Sequence, residues 1–172
     1  MSVDLSLPAR LPPPWLVIGV GNPLRGDDGV AWELLAELEP APGALRLRPL
    51  QQLTPDLAAD LAAVAAVLFV DAWRPPATGR RTLPRLLPLP ASRPEAAAAA
   101  WSLSHGLQPA ELLALSGLLY GVQPCAHQLL IPAHRLEHCL GLSSRQRRQL
   151  PAARRLLGRW LQAVGAQGAG RA

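Results

Sequence analysis

Two stretches of this chain, 15–21 and 66–70, are apolar almost without interruption and too short for buried helices. Both read as strands covered on both faces. Elsewhere the apolar positions fall into other spacings. Val30, Leu34, Leu35 and Leu38 share one face of a helix over 30–39, which Pro40, Pro42 and Gly43 stop. Leu-Arg-Leu-Arg-Pro-Leu within 44–50 has a period of two and predicts a strand exposed on one side. Thr54-Pro55-Asp56 predicts a helix start, with Thr54 as N-cap, running to about Ala63. Asp71 ends the 66–70 strand. Residues 73–80 read as a loop, and 82–89 as a strand that Pro84 and Pro88 confine to a sheet edge. Residues 90–106 read as a loop with room for a helical turn in its alanines. A helix over 109–120 has Leu112, Leu113, Leu115 and Leu119 as core positions and Gly121 as C-cap. Residues 127–131 form a further strand. Ser143 or Ser144 caps a last helix, running to about Val164, that Pro151 kinks or divides.

Strands alternating with helices predict an α/β fold with a parallel or mostly parallel sheet, covered by helices on both faces. Right-handed crossovers bring the strand carboxyl ends to one edge, and with them Asp28 and Asp71. Residues 1–14 are a proline-rich N-terminal tail, 15–165 a single domain and 166–172 a C-terminal tail. No internal repeat is visible.

Composition narrows the function classes. A chain of 172 residues that is 49% hydrophobic is long and apolar enough for a core. The net charge of +5 points towards nucleic acid, but all 17 basic residues are arginine, which reads as compositional bias. One Phe and one Tyr leave little material for an aromatic base-stacking platform, so no nucleic-acid partner is expected. The exposed arginines of the last helix, Arg145, Arg147, Arg148, Arg154, Arg155 and Arg159, read as a solvated face, with docking to an acidic surface as the alternative. Cys125 and Cys139 form no CxxC pair and read as free thiols in a cytoplasmic protein. No secretory signal is visible, and no run of about 18 apolar residues exists to cross a membrane.

The candidate chemistry gathers where the first strand ends. Gly19-Val-Gly-Asn-Pro-Leu-Arg-Gly-Asp-Asp-Gly29 is a glycine-rich turn carrying two adjacent carboxylates, and open α/β sheets place their ligands at this edge. Asp27 is assigned to capping the following helix, and Asp28 to facing the cleft as a metal ligand. Asp71 supplies a second carboxylate on the same edge, and His105 in Ser102-Leu-Ser-His-Gly-Leu107 an imidazole. Two carboxylates and an imidazole leave coordination positions open and suit borderline ions such as zinc or nickel. Two rivals stand beside this set. His134, His138 and Cys139 resemble a ligand cluster, although Pro132 and Gly141 leave little room for the helix that would align them. Gly19-Val-Gly21 suggests a dinucleotide loop, but the third glycine is replaced by Leu24 and the acids would repel a pyrophosphate. His127 reads as a packed strand residue.

The three pieces together resemble the nickel-iron hydrogenase maturation proteases. Residues 19–29 fit that family's first motif, Val70-Asp-Ala72 its strand-ending aspartate, and Ser104-His-Gly-Leu107 its histidine segment, in order over roughly 15–145. Gln51-Gln-Leu-Thr-Pro-Asp56 and Tyr120-Gly121 are similar as well. The resemblance implies a three-layer α/β/α sandwich with a mostly parallel twisted sheet. It also implies a monomeric cytoplasmic endopeptidase that removes the C-terminal extension of the hydrogenase large-subunit precursor after nickel insertion. Nickel would come with the precursor and be engaged by Asp28, Asp71 and His105, which serve as both metal and catalytic residues. The family often has glutamate at the first position, so Asp28 shortens the reach by one methylene, and Ala31 stands where many members have glycine. A non-catalytic metal-binding assembly chaperone would use the same three residues, and a nucleotide-binding module is the remaining alternative.

Overall fold

The computed structural model describes residues 10–76, 82–91 and 106–165. The parts of the expected tails at 1–9 and 166–172, the alanine turn, Ser102, Ser104 and His105 lie outside the described residues. In chain order the elements are β1 (Trp15–Val20), a 3-10 turn (Gly26–Gly29), α1 (Val30–Ala36), β2 (Leu45–Leu50), α2 (Leu57–Ala62), β3 (Ala66–Trp73), β4 (Arg85–Leu89), α3 (Pro109–Tyr120), β5 (Cys125–Pro132), α4 (Ser144–Arg147) and α5 (Leu150–Val164).

The strands form one sheet in the order β2-β1-β3-β5-β4. β1 pairs in parallel with β2 and β3, β3 pairs in parallel with β5, and β4 closes the edge antiparallel to β5. The two runs that are apolar throughout, β1 and β3, lie side by side in the interior of the sheet. There the alternation of a strand's side chains sends residues to two dry faces. Trp15, Val17, Leu68 and Val70 meet Val30, Leu34 and Leu35 of α1 and Leu157, Trp160 and Leu161 of α5. Leu16, Ile18, Val67 and Phe69 meet Leu57 and Leu61 of α2 and Leu112 and Leu113 of α3. The result is the three-layer α/β/α sandwich with a mostly parallel sheet.

Several local expectations change. β3 continues past Asp71 to Trp73, because β5 still pairs with it there after β1 has stopped. Thr54 does not cap α2 with its side chain. Its carbonyl accepts the Leu57 N–H at 3.2 Å, and Asp56 is the residue that precedes the helix. Leu119 is 59% exposed rather than core. The last turn of α3 is apolar on every side, so spacing could not choose its buried face. Pro151 divides the last helix: α4 ends at Arg147, and Pro151 sits in the first turn of α5, where its missing N–H costs nothing. Ser143 caps α4, its Oγ accepting the Gln146 N–H at 3.1 Å. The arginines of α4 and α5 are exposed, and Arg154 forks onto Glu37 at 2.7 and 2.5 Å. At the proline-rich start, the Arg10 N–H donates to the Ala163 carbonyl at 3.0 Å and the Trp15 Nε1–H to the Leu11 carbonyl at 3.1 Å.

Phe69 is fully buried between the sheet and α2/α3. Phe69→Ala is expected to cost about 3–5 kcal/mol in denaturant unfolding. A loss below about 1 kcal/mol would mean that this layer is not packed as described.

Candidate functional site

β1 runs out at Val20, and Asp71 is its register partner on β3, so Asp71 stands at the carboxyl edge of two adjacent strands. From Val20 the chain must turn sharply. Gly21 has a φ of +144°, and a Cβ there would lie 2.0 Å from the Asp28 carbonyl oxygen and 3.7 Å from the Asp28 carboxyl carbon. A side chain at this position is therefore excluded, and its absence lets the turn fold Asp28 back over the end of the strand. Asp28 Oδ2 accepts the Asn22 N–H at 2.9 Å, which anchors the carboxylate at the mouth of the turn.

Asp28 and Asp71 come close enough to feel each other. Burial, and then the like charge of Asp28, push the Asp71 carboxyl up to about 6, against a hydrogen bond from the Ala72 backbone that lowers it. Two carboxylates converging at a sheet edge, one of them uncomfortable as an anion, form an arrangement that a divalent cation would relieve. His105, the third member of the expected set, lies outside the described residues. Among the described residues no group of three His, Cys, Asp or Glu side chains is placed to hold a metal ion.

Asp27 does something other than cap a helix. Neither the 3-10 turn nor α1 has a side-chain cap. The Asp27 side chain is fully buried and takes four hydrogen bonds from far along the chain. Its Oδ2 accepts the His134 N–H at 3.1 Å, the Arg135 N–H at 2.9 Å and the Ser143 Oγ–H at 3.0 Å, and its Oδ1 accepts the Ser143 N–H at 2.8 Å. Burial pushes its pKa up, but the backbone donors of Ser143, Arg135 and His134 and the Ser143 hydroxyl outweigh it and hold it below the usual carboxylate value. Asp27 therefore adds stability above that value and loses it as pH falls through its lowered pKa. Sequence reasoning had Ser143 as a cap but missed its bond to Asp27, and it missed Asn22. No local signal announces a partner more than a hundred residues away.

The rival sites fare differently. Residues 133–140 are not helical, so His134 and His138 lack the one-turn alignment. The His134 backbone serves Asp27, and the Cys139 thiol donates to the Glu137 carbonyl at 3.4 Å. The phosphate-loop reading needs backbone N–H groups that face a ligand. In the glycine turn these groups are already used. The Gly21 N–H donates to the Leu50 carbonyl, Asn22 to Asp28 Oδ2, Leu24 to Asn22 Oδ1, Arg25 to the Asn22 carbonyl, Gly26 to that of Cys139, Asp27 to that of Arg135 and Asp28 to that of Arg25. His127 is buried, as expected for a packed strand residue. No helix among the described residues is long and apolar enough to cross a membrane.

No protein-family model and no curated protein matches the chain. Solved structures do. The hydrogenase maturating endopeptidase HybD from E. coli superposes with a TM-score of 0.64 at 18% identity, over 89% of this chain and 94% of that one. A hydrogenase 2 maturation peptidase from a Thaumarchaeota archaeon gives 0.58 at 23% identity, over 90% and 100%. A [NiFe] hydrogenase maturation protease HycI from Thermococcus kodakarensis gives 0.59 at 19%, over 88% and 92%. At these identities the likeness shows a shared fold along nearly the whole chain.

The strain at Asp71 has a measurable sign. Between pH 3.8 and about 6 the folded chain keeps a proton there that the unfolded chain releases, so stability falls as pH rises through this window. Above it the ionised group costs on the order of 3 kcal/mol. Asp71→Asn is expected to be more stable than the parent at neutral pH and to lose that decline, as read from thermal melts across the window. A variant that is no more stable, with an unchanged pH profile, would contradict the crowding of Asp71 by burial and Asp28.

Proposed function

We propose that this chain is an endopeptidase of nickel-iron hydrogenase maturation, one that removes the C-terminal extension of the large-subunit precursor after nickel has been inserted. The convergence of Asp28 and Asp71 at the carboxyl edge of β1 and β3 carries this reading. It is supported by a fold shared with solved maturation peptidases from bacteria and archaea. The third group is His105, assigned by the motif Ser104-His-Gly-Leu107. The enzyme acts in the cytoplasm as a monomer, and its partner is the precursor.

Nickel belongs to the substrate. Two carboxylates and an imidazole match a divalent nickel ion that already has ligands from the precursor and open positions for three more. The arriving cation stabilises the ionised Asp71, because its positive charge offsets what burial and the like charge of Asp28 impose. Engaging the ion docks the precursor with its scissile peptide beside the carboxylates. Hydrolysis then needs a water at the carbonyl carbon, a group to take that water's proton and a route for a proton to the leaving amine. A carboxylate of the pair, or the ion itself, activates the water. Cys125 and Cys139 take no part. Cys125 lies at the opposite end of β5, and burial pushes its thiol up, away from the thiolate a nucleophile needs.

The test is purified nickel-loaded precursor incubated with the enzyme, with the loss of the C-terminal peptide followed by mass spectrometry. Asp28→Asn, Asp71→Asn and His105→Ala are each expected to slow cleavage by at least about 100-fold while circular dichroism stays unchanged. Normal processing by all three variants would refute the proposal.

A further inference from the structure

The turn that carries Asp28 is held from the far end of the chain. Loop 133–143, between β5 and α4, crosses it and bonds to it at successive points. The Gly26 N–H donates to the Cys139 carbonyl at 2.9 Å, the Asp27 N–H to the Arg135 carbonyl at 2.8 Å, and the Cys139 N–H to the Leu24 carbonyl at 3.0 Å. Gly26, at a φ of +55°, allows this approach, since a Cβ there would meet the Arg135 carbonyl oxygen at 2.8 Å and the Cys139 Sγ at 3.0 Å. The loop is braced in turn by Arg135, whose Nη2 donates to the Gly141 carbonyl at 2.9 Å. At the centre is the fully buried Asp27 carboxylate with its four donors.

The residue after Asp27 is Asp28. In a 3-10 turn, adjacent side chains leave the backbone in different directions, so pinning one carboxylate inward sets where its neighbour can point. We infer that Asp27 is a positioning residue: by clamping loop 133–143 to the glycine turn it fixes the Asp28 carboxylate over the end of β1, facing Asp71. Asp27 itself has no exposure to water and touches neither substrate nor cation. It acts through the backbone of the turn. An amide in its place would aim its own N–H groups at some of the four donors and would break the clamp. Ser143 shares the task from the other side, because its hydroxyl both donates to Asp27 and accepts from Gln146 to start α4.

The Asn22 amide reports the position of Asp28 directly, since it donates to Asp28 Oδ2. Hydrogen exchange read residue by residue compares its rate with those of the core amides of Val17 and Leu68. In Asp27→Asn the Asn22 rate is expected to rise at least about tenfold relative to the core amides. In Leu157→Ala, a core truncation in α5 that lowers stability and lies in neither the turn nor loop 133–143, that ratio is expected to stay as in the parent. Should Asp27→Asn fail to fold, Ser143→Ala removes one of the four bonds and is expected to move the ratio in the same direction by a smaller factor. An unchanged ratio in the folded variant overturns the inference. A second arm measures precursor cleavage at a temperature where Asp27→Asn and Leu157→Ala are equally folded. Asp27→Asn is expected to be at least about tenfold slower and Leu157→Ala equal to the parent; equal rates for both would also overturn it. Failure of the parent protein to cleave would instead count against the proposed function, while the exchange ratio would still decide the role of Asp27.

Discussion

A carboxylate removed from water costs several kcal/mol unless donors replace its hydration. Asp27 and Asp71 meet this constraint in opposite ways. Asp27 has no exposure, yet four N–H and O–H groups surround it and keep it anionic. Asp71 is partly buried beside another acid and has one backbone donor that does not offset the rest, so it holds its proton to about 6. The first arrangement is a fastening, and the second is one that positive charge would stabilise. Asp28 lies between them in the chain, tethered to the first by a peptide bond and drawn beside the second by the fold.

The sheet makes this possible by ending unevenly. β1 stops at Val20, whereas β3 and β5 continue together to Trp73 and Pro132. The step leaves room for the glycine turn to fold back over the end of β1. The backbone N–H groups of the turn from Gly21 to Asp28 are bonded to Leu50, Asn22, Asp28, Cys139, Arg135 and Arg25 and so do not cradle a phosphate. What it offers outward is carboxylate oxygen. A strand-to-helix turn with this hydrogen bonding is suited to a cation, where the same place in a nucleotide-binding fold serves an anion.

Much of this was legible in the sequence because burial on both faces leaves an unmistakable mark. The uninterrupted apolar runs at β1 and β3 identified two of the three interior strands. The prolines at 84 and 88 sent β4 to the edge, and Pro151 divided the last helix where it appears. Asp71 could be placed at the sheet edge because it directly follows the second run, and Asp28 because it lies in the glycine-rich turn that follows the first. Other features had no local signal. Leu119 belongs to a helix end that is apolar all round, so its spacing could not reveal that it is exposed. Asp27 looked like a helix acid, and its true partners, Ser143 above all, come from the other end of the chain. Neighbouring acids with identical local sequence signals receive different roles only when a distant loop closes over one of them.

The proposed function requires Asp28, Asp71 and His105 to share one cation. Crystals of the protein soaked with zinc, as a probe for a borderline divalent ion, test it directly through the anomalous scattering of the metal. The expected result is a peak with carboxylate oxygens of both Asp28 and Asp71 and a ring nitrogen of His105 at about 2.0–2.2 Å. A zinc ion bound elsewhere, with the two carboxylates turned apart and His105 away from both, would contradict it.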